Sequence, residues 1–370
     1  MSKLTSRLVG GLIAIVSENA FAEYGFNMTQ GVTSVSRDIY GLHTMVFWIC
    51  VAIAVIVFGV MIYSLIVHRK SQGAVAANFH ESTKVELLWT GVPIIILVLM
   101  VIPASTVLID LEDTSKAQMT IKITGHQWKW QYDYPKEGIS FISNLKQDSK
   151  DVIYSGNRHK NYLLEVDNNL VLPVDTSIRF LITSNDVIHS WWVPDFGVKQ
   201  DANPGFINDA WVQIDEIGTY RGQCAELCGK DHGFMPIVVD VVSKADYAKW
   251  VLKQQAAKAA TFAKSSKTWR EEELISLGQK VYNTNCSSCH GITGKGIPGV
   301  FPALKGSSIA TGDIKKHISI VLHGKAGTAM ASYKNILGDA DIAAVITFER
   351  AAFGNQMGDL IQPVQIKAAR

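Results

Sequence analysis

Two stretches of the chain are apolar with almost no interruption. Positions 45–67 carry no charge and are long enough to cross a bilayer as a helix. Positions 87–109 form a second such run, with Pro93 and Pro103 inside it, as membrane helices tolerate. Arg69, Lys70 and Lys84 lie between the runs, and basic loops favour the cytoplasmic side. Both outer ends of this hairpin then face the opposite compartment. Positions 1–22 read as a signal peptide, with Lys3 and Arg7, an apolar middle and the exit Ala20-Phe21-Ala22. A short amphipathic anchor is the alternative.

Beyond Gln118 the period changes. Positions 119–124 alternate apolar and polar, which predicts a half-buried strand. Further strand candidates are 162–166, 177–183, 210–214, 218–223 and 237–242, separated by Gly, Pro, Asn and Asp. Several short strands so punctuated predict a β-sandwich or barrel. Positions 246–268 are rich in Ala and Lys and have no strong apolar stripe after Leu252. They read as a partly helical, solvated linker. An amphipathic segment then runs over 269–282, and a helix is expected over 339–353.

The pattern predicts several domains. These are a signal peptide 1–22, an N-terminal segment with the two-helix transmembrane hairpin 23–110, an all-β domain 111–245, a linker 246–268, an all-α domain 269–355 and a C-terminal tail 356–370. Composition agrees: 48% of the 370 residues are hydrophobic, and the net charge of +2 gives no pull toward nucleic acid. The five cysteines are Cys50, Cys224, Cys228, Cys286 and Cys289. Two close pairs and one leftover do not make a secreted disulfide framework. Cys50 lies in the first apolar run and reads as a small membrane hydrophobe.

The two pairs carry the chemistry. Cys224, Cys228, His232 and Met235 fall within one short loop, and His189 stands upstream. Thiolate, thioether and imidazole together suit copper better than zinc, magnesium or calcium. Two thiolates bridging two copper ions would use the whole set. A local disulfide or a single zinc would need neither Met235 nor His189. Farther on, Cys286-Ser287-Ser288-Cys289-His290 has the C-x-x-C-H pattern of covalent haem attachment, with His290 as an axial iron ligand. Met330, on the loop before the last helix, is the candidate sixth ligand, and Met/His ligation raises the potential. Met357 competes for that place, and His317 or His323 would give bis-His ligation. Their simpler reading is helix-surface or propionate-side residues. A thioredoxin-like dithiol or half a zinc site is the alternative for the motif itself.

The run Cys-Ala-Glu-Leu-Cys-Gly-x-x-His-x-x-Met from Cys224 to Met235, with Asp186-Val187-Ile188-His189-Ser190-Trp191 upstream, resembles the copper-A loop of cytochrome c oxidase subunit II. The C-terminal order of helix, haem motif, methionine loop and final helix resembles class I cytochrome c. The resemblance implies a cupredoxin-like sandwich holding dinuclear copper on His189, Cys224, Cys228, His232, Met235 and the Glu226 carbonyl. It implies that the Glu226 carboxylate helps bind magnesium shared with subunit I. It makes Trp128, in the aromatic stretch 128–134, the exposed ring where electrons enter, although on the residues alone packing is the stronger reading of alternating aromatics. It makes Glu86 the entrance of a proton path, where a solvated helix-end carboxylate is the plainer reading.

Implied partners are oxidase subunits I and III, a cytochrome c or other external electron donor, and membrane lipid. The implied location is the bacterial inner membrane, with the copper and haem domains on the periplasmic side. Electrons would pass from the donor through haem c and copper to haem a in subunit I, which reduces oxygen and pumps protons. The oxygen-reducing site is not on this chain. Phe206 departs from the family pattern, which has Arg after Pro204-Gly205. A linker of this length would let a tethered haem domain visit the copper site.

Overall fold

In a computed structural model, residues 27–75, 78, 80–151, 160–325 and 328–370 are described. The expected signal peptide 1–22 lies outside them.

The apolar runs form α1 (Ser34–Val67) and α2 (Thr83–Glu112), each longer than the run that predicted it. Thr33 starts α1 with a capping box: its hydroxyl accepts the Ser36 N–H, and the Ser36 hydroxyl accepts the Thr33 N–H. The most apolar windows of both helices have no residue buried within the chain. At about 1.5 Å per residue, both outrun a hydrocarbon core of about 30 Å. Their outer ends run into the β domain. Val32 donates its N–H to the Asp195 carbonyl at 2.9 Å, Arg37 pairs with Asp215, and the Trp211 indole donates to the Asp110 carbonyl at 2.8 Å.

That domain is a two-sheet sandwich. One sheet has the order β3-β2-β1-β5-β8, built from β1 (Met119–His126), β2 (Lys129–Tyr134), β3 (Ile139–Ser143), β5 (Ser177–Ser184) and β8 (Asn208–Gln213). The other has the order β4-β10-β9-β6-β7, built from β4 (Leu170–Pro173), β6 (His189–Val193), β7 (Val198–Ala202), β9 (Gly218–Cys224) and β10 (Pro236–Val242). Neighbours are antiparallel except β1 with β5 and β4 with β10. Ile121, Ile123, Phe180 and Ile182 of the first sheet share one core with Leu170, Trp191, Ile237 and Val239 of the second. Position 162–166 is not a strand: only Val166 bridges, to Leu145. A short helix, α3 (Gln147–Asp151), precedes it.

The linker is not a solvated tether. It is α4 (Lys244–Ala263), and Tyr247, Trp250 and Val251 pack on the sandwich core. The Trp250 ring lies 5.1 Å from that of Tyr134. Gln255 and Lys258 donate to the carbonyls of Glu137 and Gly138, each at 2.8 Å. The stripe is short, which is why the Ala/Lys composition hid it.

The C-terminal domain is helical: α5 (Glu271–Asn285), α6 (Ser287–His290), α7 (Ile314–His323), α8 (Asp339–Ala351) and α9 (Pro363–Ala369). Its centre is the crossing of α5 and α8. A Cβ on Gly278 would lie 2.1 Å from the Ala344 carbonyl oxygen, so only glycine allows the two backbones to approach this closely. The expected tail 356–370 folds back. Ile361 and Ile366 are buried in the helical core, and Arg370 clamps Asp339 and the Leu337 carbonyl.

Candidate metal and haem centres

Strand pairing brings the first centre together. His189 opens β6, Cys224 closes β9, and these strands are neighbours, with Trp191 opposite Cys224. The chain then loops out and returns at Met235, whose carbonyl accepts the Cys224 N–H at 3.1 Å. His189, Cys224, Cys228 and Met235 are all buried. The two sulfurs are 3.8 Å apart, far beyond the roughly 2.05 Å of a disulfide. The Nδ1 of His189 lies 3.9 Å from the Cys224 sulfur, and the Nδ1 of His232 lies 3.4 Å from the Cys228 sulfur. The Glu226 carbonyl is 3.4 Å from the Cys224 sulfur.

The thiol pair shares its protons unequally. The hydrogen bond with Cys228, and then His189, hold the Cys224 pKa down. The same hydrogen bond and burial push Cys228 up. Two sulfurs with two imidazole nitrogens facing them are a donor set that fits soft cations.

The second layer of residues is as well defined. The carboxylate of Asp186 lies 2.7 Å from Nε2 of His189, leaving Nδ1 for the sulfur side. Such a partner fixes a ligand histidine's tautomer. Burial opposes a charge on His189, but Asp186 holds its pKa up. A Cβ on Gly125 would meet the His189 ring at 2.7 Å, so β1 must carry glycine there. Asp186 also accepts the backbone N–H of Gln127 at 2.8 Å. The sequence offered one cue, an acid three residues before the histidine.

The second centre lies on α6. The Nδ1 of His290 is 2.9 Å from the Pro302 carbonyl, which leaves Nε2 for an iron. Cys286 and Cys289 are partly exposed and unbridged. Met330 is half-buried against the helical core, together with Cys286. Met357 is 39% exposed. His317 is not on the surface: it is buried, with Nε2 2.9 Å from the Glu349 carboxylate. That pairing ties its ring to α8. His323 is exposed at the end of α7. Free thiols, a fixed imidazole and a nearby thioether fit a covalently bound haem.

Trp128 is not an exposed ring. It is 6% exposed and covered by Phe301 of the helical domain, with centroids 5.8 Å apart. Its indole donates to the Cys228 carbonyl at 3.1 Å, and the Gln127 side chain donates to the same oxygen at 2.8 Å. On the other side, the Cys289 sulfur lies 3.5 Å from the Gln127 carbonyl. The Gln127-Trp128 turn therefore touches both the copper-type loop and the haem-type motif. Sequence reasoning missed Gln127, Asp186 and this cover. Glu226 is exposed, Glu86 is exposed on the first turn of α2, and Phe206 is 69% exposed.

Residues 119–242 match the family described as cytochrome C oxidase subunit II, periplasmic domain, and 22–107 match its transmembrane domain. Residues 273–348 match cytochrome C oxidase, cbb3-type, subunit III. A probable cytochrome c oxidase subunit 2 of Rickettsia bellii (strain RML369-C) is 40% identical over 224 residues, covering 59% of this chain and 79% of that protein. The cytochrome c oxidase subunit 2 of Cereibacter sphaeroides is 35% identical over 255 residues, covering 65% and 83%. The crystal structure of the periplasmic domain of subunit II of cytochrome oxidase from Bradyrhizobium japonicum aligns with 45% identity over 38% of this chain and 96% of that one, at a TM-score of 0.35. A hairpin, a copper-type sandwich and a haem-type helical domain follow one another in the order these matches require, and the chain belongs to the cytochrome c oxidase subunit II family, with a cytochrome c domain joined at its C-terminal side.

Proposed function

We propose that the chain is the electron-accepting subunit of a haem-copper oxidase in a bacterial inner membrane, with its β and helical domains on the periplasmic side. The observation that carries this reading is the turn at Gln127-Trp128, which touches Cys289 on one side and Cys228 on the other. His189, Cys224, Cys228, His232, Met235 and the Glu226 carbonyl would hold two copper ions. Cys286 and Cys289 would hold a covalent haem c, with His290 and Met330 on its iron. Both groups supply one-electron transfer without proton chemistry.

The residues of the chain do the rest. The sandwich buries the sulfurs away from water, and Asp186 orients His189. The helical domain receives electrons from a cytochrome c or similar donor. The Gln127-Trp128 turn passes them to the copper ligands, and they leave toward haem a in subunit I. Subunit I carries the oxygen chemistry and proton pumping, and subunit III completes the assembly. The Glu226 carboxylate, exposed on the copper loop, would help hold a magnesium ion shared with subunit I. Glu86, on the cytoplasmic first turn of α2, admits protons.

Flash reduction of the detergent-solubilised oxidase tests the route. Haem oxidation should keep step with copper reduction, and in Glu86→Ala turnover should slow while copper reduction stays fast. Copper reduced ahead of the haem would make the helical domain a side branch.

A further inference from the structure

The contact between the two redox domains is organised around a buried lysine. Lys129 opens β2, directly after Trp128, and its side chain leaves the sandwich. It is 5% exposed. Its ammonium donates to the Tyr333 hydroxyl at 2.9 Å and to the Asn285 carbonyl at 3.2 Å. The Tyr333 hydroxyl in turn donates to the same Asn285 carbonyl at 2.8 Å. Asn285 immediately precedes Cys286, and Tyr333 follows Met330 by three residues. The lysine of one domain is therefore bound by the segments that flank the haem motif and the methionine loop of the other. Around this point lie Phe301 on Trp128, Cys289 on Gln127, and a small polar cleft between Lys122, Thr124 and Gln131 on one side and Ser332 and Asn335 on the other. Just beyond the end of the strut α4, Ser265 donates to Asp339 at 2.5 Å.

Burying an ammonium is costly, and here it is met by neutral oxygens instead of a carboxylate. Such a group adds little net affinity. It does penalise every arrangement that leaves the charge desolvated and unpaired, so it selects one register. We propose that Lys129 is a positioning residue that locks the cytochrome c domain onto the copper domain in a single pose, so that electrons cross a fixed contact and not a tethered encounter. The inference rests on the electron route proposed above. It replaces the tethered donor expected from the linker's composition.

A fixed contact has no diffusive step, so flash-induced haem-to-copper transfer in the solubilised oxidase should not change with ionic strength or viscosity. Tyr333→Phe removes one partner of the buried ammonium and should slow that transfer about tenfold, as a buried donor left short of an acceptor implies. Adding Lys129→Met to Tyr333→Phe should recover part of the loss, because the uncompensated charge is gone. A role confined to folding of the helical domain would not show this recovery. The second readout is relaxation enhancement of the oxidised copper signal by the oxidised haem, which reports their separation without turnover. It should be uniform in the unaltered protein, heterogeneous in Lys129→Met, and accompanied by unchanged haem attachment. Transfer in the unaltered protein that slows with viscosity, or additive effects of the two substitutions, overturns the lock alone. Absence of any haem-to-copper transfer in the unaltered protein overturns both the route and the lock.

Discussion

Trp128 donates its indole N–H to the carbonyl oxygen of Cys228 at 3.1 Å. The bond ties the aromatic turn to the loop that carries the copper-type ligands, while Phe301 covers the ring from the other domain. Trp128→Phe should lose this bond and part of the ring's packing, at about 1–3 kcal/mol of stability. Trp128→Ala should cost about 3–5 kcal/mol. If the ring lies on the electron route, both variants keep the copper signal but slow haem-to-copper transfer, the alanine more. An unchanged transfer rate in the alanine variant removes Trp128 from the route and leaves it a packing residue.

The copper assignment has its own readout. The full chain in detergent should bind two copper ions and give the resonance of one electron shared by both. Cys228→Ser should abolish the shared signal. Asp186→Asn should leave both ions bound but weaken them by about 10–100-fold in chelator competition, the usual effect of removing a partner of a ligand histidine. A single-ion spectrum from the unaltered chain contradicts the two-ion centre.

Met330 and Met357 can be separated by spectrum. Met330→Leu should remove the sulfur-to-iron charge-transfer band and lower the haem potential, with covalent attachment through Cys286 and Cys289 intact. Met357→Leu should change neither. Survival of the band in the first variant would pass the ligand role to Met357.

His126 makes the copper domain sensitive to acid. Burial, and then the nearby Lys129, hold its pKa down from 6.5 to about 4. The folded chain keeps it neutral where the unfolded chain protonates it. Its contribution to stability is therefore complete above about 6.5 and is lost as pH falls toward about 4. The denaturant midpoint should drop between pH 7 and pH 5 in the unaltered protein and drop less in His126→Gln. Equal slopes in the two proteins would assign the acid sensitivity elsewhere.

Much of the site was legible because its chemistry is local in sequence. The loop from Cys224 to Met235 and the motif from Cys286 to His290 announce their donors by spacing alone, and the hairpin announces itself by uninterrupted apolar length. The strand at 119–124 was legible for the same reason, since alternation is a property of neighbours. Short strands such as β4 and β7 were not, because pairing across the sheet and not their own pattern makes them strands.

What composition and spacing determined, then, is which groups can bind metal and haem and which segments can enter a membrane. Only the tertiary structure decided how the two centres face each other. Trp128 reads as an exposed ring until Phe301 arrives from far along the chain. Position 246–268 reads as a solvated tether until Tyr247 and Trp250 find the sandwich. Lys129 carries no signal in the sequence, and Tyr333 and Asn285 close over it only in the fold. Each is a long-range contact between surfaces whose own residues look solvent-compatible. Burial of a polar or aromatic side chain by a second domain leaves no periodic trace in the first, and so it emerges only when both are folded and packed.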